Sequence, residues 1–220
     1  MTDVPQNRRY HSPQRQRQAE LTRRNVLDAA RRLFATRGYA ATTLPAIARE
    51  ADVSPATVTA VFGTKARLLD DLVHLVVRGD TDTPSLTERP WWQAMLSEPD
   101  PRRKLILFAS NGRHIHERSA DIAAIMQGAA AADPEIAAKL RRLADGRRAD
   151  ACTVAQSLAE QKTLAAGMTV EKAADLMWAL GSHDLYRMLV IEQGWTPEDY
   201  ERWLAESLTH SLVDQRAPSR

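Results

Sequence analysis

The stretch TTLPAIAREADVSPATVTAVFGTK, Thr42 to Lys65, decides how the rest of the chain reads. Two short helices fit inside it, with three or four residues between them. The first opens at Thr43, whose hydroxyl can take up a free backbone N–H of the first turn, Leu44–Pro45–Ala46. Leu44, Ile47, Ala48 and Ala51 then recur at the three-to-four spacing of a buried helix face. Asp52–Val53 breaks the helix, and Ser54–Pro55 restarts one with a capping side chain followed by proline at the first helical position. Val58 and Phe62, four apart, face inward and leave Ala56, Thr57, Thr59 and Ala60 outside. Gly63–Thr64–Lys65 ends this helix and caps the next.

A helix of about two turns is marginal alone. A helix-turn-helix gives it a purpose: the first helix supports, and the second lies in the major groove of duplex DNA. The wording resembles the TetR family of bacterial regulators, whose pattern runs T-x-x-x-I-A-x-x-A-G-V-S-x-G-T-x-Y-x-x-F-x-x-K. Thr43, Ile47, Ala48, Ala51, Val53, Ser54, Thr57, Phe62 and Lys65 stand at matching places, and Phe34–Ala35–Thr36–Arg37–Gly38–Tyr39 is similar to that family's end of helix one. Asp52 replaces the family's turn glycine and Thr59 its tyrosine. The expected DNA-binding set is Thr42, Thr43, Ser54, Pro55, Ala56, Thr57, Thr59, Ala60 and Lys65, with a phosphate role for Lys65 implied by the resemblance. No Arg, Lys, Asn or Gln lies between Ser54 and Phe62. The strongest base-reading pairs need such side chains, bidentate on guanine or adenine. Preference from thymine methyls and DNA shape is expected instead.

Working outward, the spacing predicts a first helix from Ala19 to Arg37, with Val26, Leu27, Ala30, Leu33 and Phe34 inward and Gly38 as its end. Residues 1–18, with four Gln and the pairs Arg8–Arg9 and Arg15/Arg17, read as a disordered arm able to reach a minor groove. A fourth helix runs from Lys65 to Arg78, and Asp80–Pro90 is a turn-rich linker. Beyond it the chain reads as a helical bundle: helices open at Asp100–Pro101 (with a break near Ser119), at Asp133–Pro134 (to Gln161), at Thr169 (to Gln193, closed by Gly194) and at Thr196–Pro197 (to Val213). The expected fold is all-α, an N-terminal three-helix helix-turn-helix domain plus a C-terminal bundle, about nine helices in total. Its parts are an arm at 1–18, a DNA-binding domain at 19–66 and a ligand-binding and dimerisation domain at 67–215.

The totals agree with this reading. The chain has 220 residues, 44% hydrophobic and 26% charged, as soluble globular proteins do. No apolar run nears the roughly 18 residues of a membrane span, and a single cysteine, Cys152, rules out an internal disulfide and fits a reducing cytoplasm. Residues 1–80 carry 13 Lys/Arg against 8 Asp/Glu and the remainder 17 against 20, so positive charge gathers on the half with the helix-turn-helix.

Two-faced apolar helices at the C-terminal end predict a four-helix bundle shared with a second copy, through Leu176, Leu180, Leu185, Met188, Leu204, Leu208 and Leu212. The resemblance implies the same, together with an apolar small-molecule ligand held by Trp92, Met95, Phe108, Met126, Met177 and Trp178. His183 and Asp184, in an otherwise apolar helix, are weaker ligand candidates. His114 and His116 are two apart and so diverge; no HExxH, CxxC, GxSxG or phosphate loop is present, so no metal, cofactor or catalysis is expected. The expected function is a cytoplasmic, homodimeric, ligand-released repressor on a palindromic operator. The alternative is a helical small-molecule or protein-binding protein with a degenerate DNA domain.

Overall fold

A computed structural model describes residues 13–78 and 86–214. Residues 1–12 of the expected arm and 80–85 of the expected linker lie outside the described residues. The chain is all-α, in two compact units, Met1–Leu72 and Val73–Arg220.

In the first unit, α1 (Pro13–Ala41) begins six residues before the expected start. Proline suits the first helical turn, and the Gln and Arg that follow are good helix formers, so residues 13–18 belong to the helix and not to the arm. Gly38, at φ 77° and ψ 161°, interrupts the helix as its sequence position predicts. α2 (Leu44–Glu50) is capped by Thr43, which accepts from Ala46 N, and α3 (Pro55–Phe62) by Ser54, which accepts from Thr57 N. Asp52 takes the left-handed turn conformation, φ 53°, that glycine takes most cheaply. Val26, Leu27, Ala30, Phe34, Ile47, Ala48, Val58 and Phe62 are buried here, each on the face its periodicity assigns. α4 (Lys65–Arg78) crosses from one unit to the other.

The second unit contains a 3-10 turn at Leu86–Glu88, α5 (Pro90–Ser97), α6 (Pro101–Ala130), α7 (Pro134–Glu160), α8 (Val170–Leu180), α9 (His183–Tyr186, continued as a π-turn over Arg187–Glu192) and α10 (Pro197–Leu212). Asp100, Asp133, Thr169 and Thr196 cap α6, α7, α8 and α10 as their sequence positions predict. α7 packs on α8 and α10 on α6. Lys104 on α6 has no solvent access, and its ammonium donates to Ser157 Oγ on α7 at 2.5 Å.

Two expectations fail here. No break occurs at Ser119: its hydroxyl donates to Ile115 O, four residues back, at 2.7 Å and so does not compete with the helix. The helix expected from Thr169 to Gln193 is instead broken at Gly181–Ser182. A Cβ on Gly181 would stand 2.8 Å from Met177 O, and Ser182 caps the new helix by accepting from Leu185 N at 3.2 Å.

Candidate nucleic-acid interface

α2 and α3 share one corner, and each contributes two buried side chains to it: Ile47 and Ala48 from α2, Val58 and Phe62 from α3. Everything else on α3 is at or near the surface. Pro55, Ala56, Thr59, Ala60 and Val61 are exposed and Thr57 is half-buried. Ser54 and Thr57 bond to each other, Oγ to Oγ1 at 2.8 Å. The outward surface of α3 is therefore made of methyl and methylene groups with one free-standing hydroxyl, on Thr59. Val61, 40% exposed, belongs to this surface although periodicity alone did not single it out.

Two residues of the expected set are engaged by the protein itself. Thr42 is buried, and its hydroxyl donates to Gly38 O at 2.8 Å and Leu33 O at 3.2 Å, so it fastens the end of α1 and is not on the outer surface. Lys65 directs its ammonium at the same place. Nζ donates to Tyr39 O at 2.7 Å, Thr42 O at 2.9 Å and Ala40 O at 3.4 Å, and lies 4.2 Å from the centre of the Tyr39 ring. A cation on the unsatisfied carbonyls at a helix end is favourable through both hydrogen bonding and the helix dipole. This accounts for a lysine in the first turn of α4, where the dipole of α4 itself disfavours it. Thr43, Ser54 and Pro55 remain at the surface as helix starts.

Replacing Lys65 by Met should cost the first unit about 2 kcal/mol, because three carbonyls lose a charged donor. Thermal unfolding of the variant measures it. A lysine serving only a DNA phosphate would leave the unfolding temperature unchanged and weaken binding alone.

Residues 26–72 match the family model of bacterial regulatory proteins, tetR family. The first unit is a tetR-type helix-turn-helix. No curated protein matches the chain. Among solved structures, NalD, the secondary repressor of the MexAB-OprM multidrug efflux pump in Pseudomonas aeruginosa, is similar at 26% identity and TM-score 0.69, over 90% of this chain and 99% of that one. SmeT, solved as a complex with triclosan, aligns at TM-score 0.71 and 18% identity over 90% of this chain and 96% of that one. FadR from Bacillus subtilis, in complex with stearoyl-CoA, aligns at TM-score 0.67 and 17% identity over 84% and 96%. These last two likenesses are of fold alone.

In the second unit the expected ligand residues have different surroundings. Trp92, Met95, Met126 and Met177 are buried, Phe108 is half-buried, and Trp178 is exposed, with its indole N–H donating to Ala144 O at 3.2 Å. An open groove of about 830 Å³ runs between other residues, among them Leu96, Arg148, Cys152 and Gln156. Sequence reasoning named His116 and His183 separately and did not bring them together. His116 donates from Nε2 to Gly181 O at 3.1 Å, the carbonyl freed by the α8–α9 break, and its ring stands 4.2 Å from that of His183. His183 Nε2 lies 3.0 Å from Ser119 Oγ, which accepts from it because its own hydrogen goes to Ile115 O. Tyr186 and Tyr200 complete the cluster, their rings 5.2 Å and 6.2 Å from that of His116. Burial pushes both histidines down; on His116 the His183 ring adds to it, and His183 falls to about 4 with the Arg147 guanidinium acting in the same direction and Asp184 against it. Both are neutral at physiological pH. His116 Nδ1, an acceptor in this tautomer, is buried without a hydrogen-bond partner. Asp184 itself accepts from Gln127 at 2.7 Å.

Of the expected dimer residues, Leu204, Leu208 and Leu212 have no solvent access and belong to the chain's own core. Leu176 and Leu180 pack partly against that core, and Leu185 is half-buried. Met188 is exposed, as are Ile191 and Trp195, which were not among the expected dimer residues. Among the described residues no cluster of His, Cys, Asp or Glu could hold a metal, and no helix is long and apolar enough to cross a membrane.

Proposed function

We propose that the chain is a homodimeric DNA-binding transcriptional regulator, a repressor released when the second unit takes up an apolar small molecule. The observation that carries this is the corner itself. A two-turn helix, capped by Ser54 and held by only Val58 and Phe62, shows nearly all of its length to the outside. Such a helix is worth keeping where a groove of DNA covers it. The ligand part is supported by analogy with SmeT and triclosan, by FadR and stearoyl-CoA, and by the bulky residues gathered in the second unit. Arg118 on α6 donates to Val76 O and Val77 O in the last turn of α4. A ligand that favours one position of α6 would bias α4 by no more than its preference for that position.

The pairing surface proposed is the π-turn of α9, with Met188 and Ile191 at its centre, because three leucines of α10 are occupied inside the chain. Native mass spectrometry of the full chain should show a dimer, and Ile191→Asp should leave a folded monomer with at least tenfold weaker operator binding. A gel shift against the DNA flanking its own gene tests the whole reading: a discrete complex dispersed by triclosan would support it, and indifference to every duplex would remove it. That indifference would favour the alternative, a helical binding protein with a degenerate DNA domain. One observation leans that way, since α3 shows no guanidinium, ammonium or amide and Lys65 is engaged by carbonyls.

A further inference from the structure

We infer that α3 recognises the C5-methyl groups of pyrimidines, and that Val61 is a specificity-determining residue of that contact. The inference rests on the DNA-binding reading above and says what the helix reads once it lies in the groove. Major-groove base edges offer donors and acceptors in a pattern unique to each pair, and one apolar feature, the thymine methyl. A helix reads the first kind with amides, guanidinium groups and carboxylates, none of which α3 possesses. Of its two hydroxyls, that of Thr57 bonds the capping Ser54 Oγ at 2.8 Å, and only that of Thr59 faces outward. Thr64, just beyond the helix, accepts from Arg67 N at 3.1 Å and so caps α4. What faces outward is Ala56, Thr59, Ala60 and Val61, side chains of three carbons or fewer that all end in methyl groups.

Val61 is the largest of these and the least explained by the fold. It is 40% exposed, on a helix whose inward pair, Val58 and Phe62, already closes the corner. An exposed β-branched residue also lowers helix propensity slightly. Contact with a methyl group in the groove would repay that cost through burial of both partners. Cytosine lacks the methyl and 5-methylcytosine restores it, so the same surface distinguishes methylated from unmethylated cytosine.

The test uses the full chain and a duplex selected by it from a random pool. Each thymine of the selected site is replaced in turn by uracil, which removes one methyl and changes no hydrogen-bonding group. Affinity should fall roughly fourfold at each contacted methyl, the equivalent of about one buried CH₂. The salt dependence should stay unchanged, since the phosphates are unchanged. Replacing a contacted thymine–adenine pair by 5-methylcytosine–guanine should be better tolerated than replacing it by cytosine–guanine. Val61→Ala should abolish the thymine–uracil difference at one base pair of each half-site while leaving thermal unfolding within a degree or two. Specific binding that ignores uracil substitution throughout, or a Val61→Ala protein with undiminished discrimination, overturns the inference. Failure to select any duplex removes the DNA-binding reading itself, a separate result.

Discussion

Phe62→Ala should abolish DNA binding and melt the amino-terminal corner while the carboxy-terminal unit stays folded. Phe62 is 1% exposed and is one of only two buried residues on α3. Removing a buried phenyl ring costs about 4 kcal/mol, through lost transfer energy and the cavity left behind. A unit of this size has only about 3–9 kcal/mol of stability in total. The ring also carries the Arg23 guanidinium, 4.9 Å above its centre, and Arg23 in turn pairs with Asp71 on α4 at 2.8 Å. One truncation therefore loosens α1, α3 and α4 together. The five tryptophans, at 91, 92, 178, 195 and 203, all lie in the second unit, so their fluorescence reports that unit alone. Far-ultraviolet circular dichroism should lose amplitude at low urea before the tryptophan signal changes. Thr59→Ala, at an exposed position on the same helix, should leave unfolding within about 0.5 kcal/mol. A Phe62→Ala protein that unfolds in a single transition at the wild-type midpoint would contradict the anchoring role.

Acid should weaken the second unit through its buried histidines. His183 has a folded pKa of about 4, lowered by burial and then by Arg147. In the unfolded chain it titrates near 6.5. Above that value both states are neutral and the histidine leaves stability unaffected by pH. Below it the unfolded chain takes up a proton that the folded one refuses, so stability drops as pH falls from about 6.5 towards 4. The loss over that window is roughly 3 kcal/mol for His183 alone. His116, shifted in the same direction chiefly by burial and next by His183, adds to it. Asp184 opposes the shift, and Asp150, whose carboxyl burial pushes up, contributes in the opposite sense. Tyr186 and Tyr200, the other groups packed on the pair, are held protonated by burial, so they bring no charge. Urea midpoints followed by tryptophan fluorescence at pH 7.5 and 5.0 should differ by about 2 kcal/mol in the wild type from this histidine. The difference should shrink by that amount in His183→Gln, whose amide can still donate to Ser119. Equal pH dependence in the two proteins would mean that His183 is not buried as a neutral group.

Most helix starts were legible because each depends on neighbours in the chain. Thr43, Ser54, Asp100, Asp133, Thr169 and Thr196 all cap where proline or an apolar period follows them, and the cap is a bond over two or three residues. The same locality made Gly38 and Asp52 readable as turns. Long-range partners were not readable. Gly181–Ser182 lay inside the single helix expected from Thr169 to Gln193, because the partner of the freed carbonyl is His116, 65 residues away. Trp178, expected among the ligand residues, is 38% exposed.

The order of residues from Thr42 to Lys65 was enough by itself to set two capped helices around a tight turn with a small, unchanging outer face. Caps, turn residues and the Val58–Phe62 spacing act over about one turn of helix, where the backbone leaves few choices. Where the polar groups would be spent depended on the folded molecule. Lys65 could serve a phosphate until the end of α1, 23 to 26 residues earlier in the chain, brought three carbonyls to its ammonium. Leu204, Leu208 and Leu212 could face a second copy until the chain's own core enclosed them. A sequence states which groups a residue carries, but a hydrogen bond or a buried methyl belongs to whichever partner the fold brings closest.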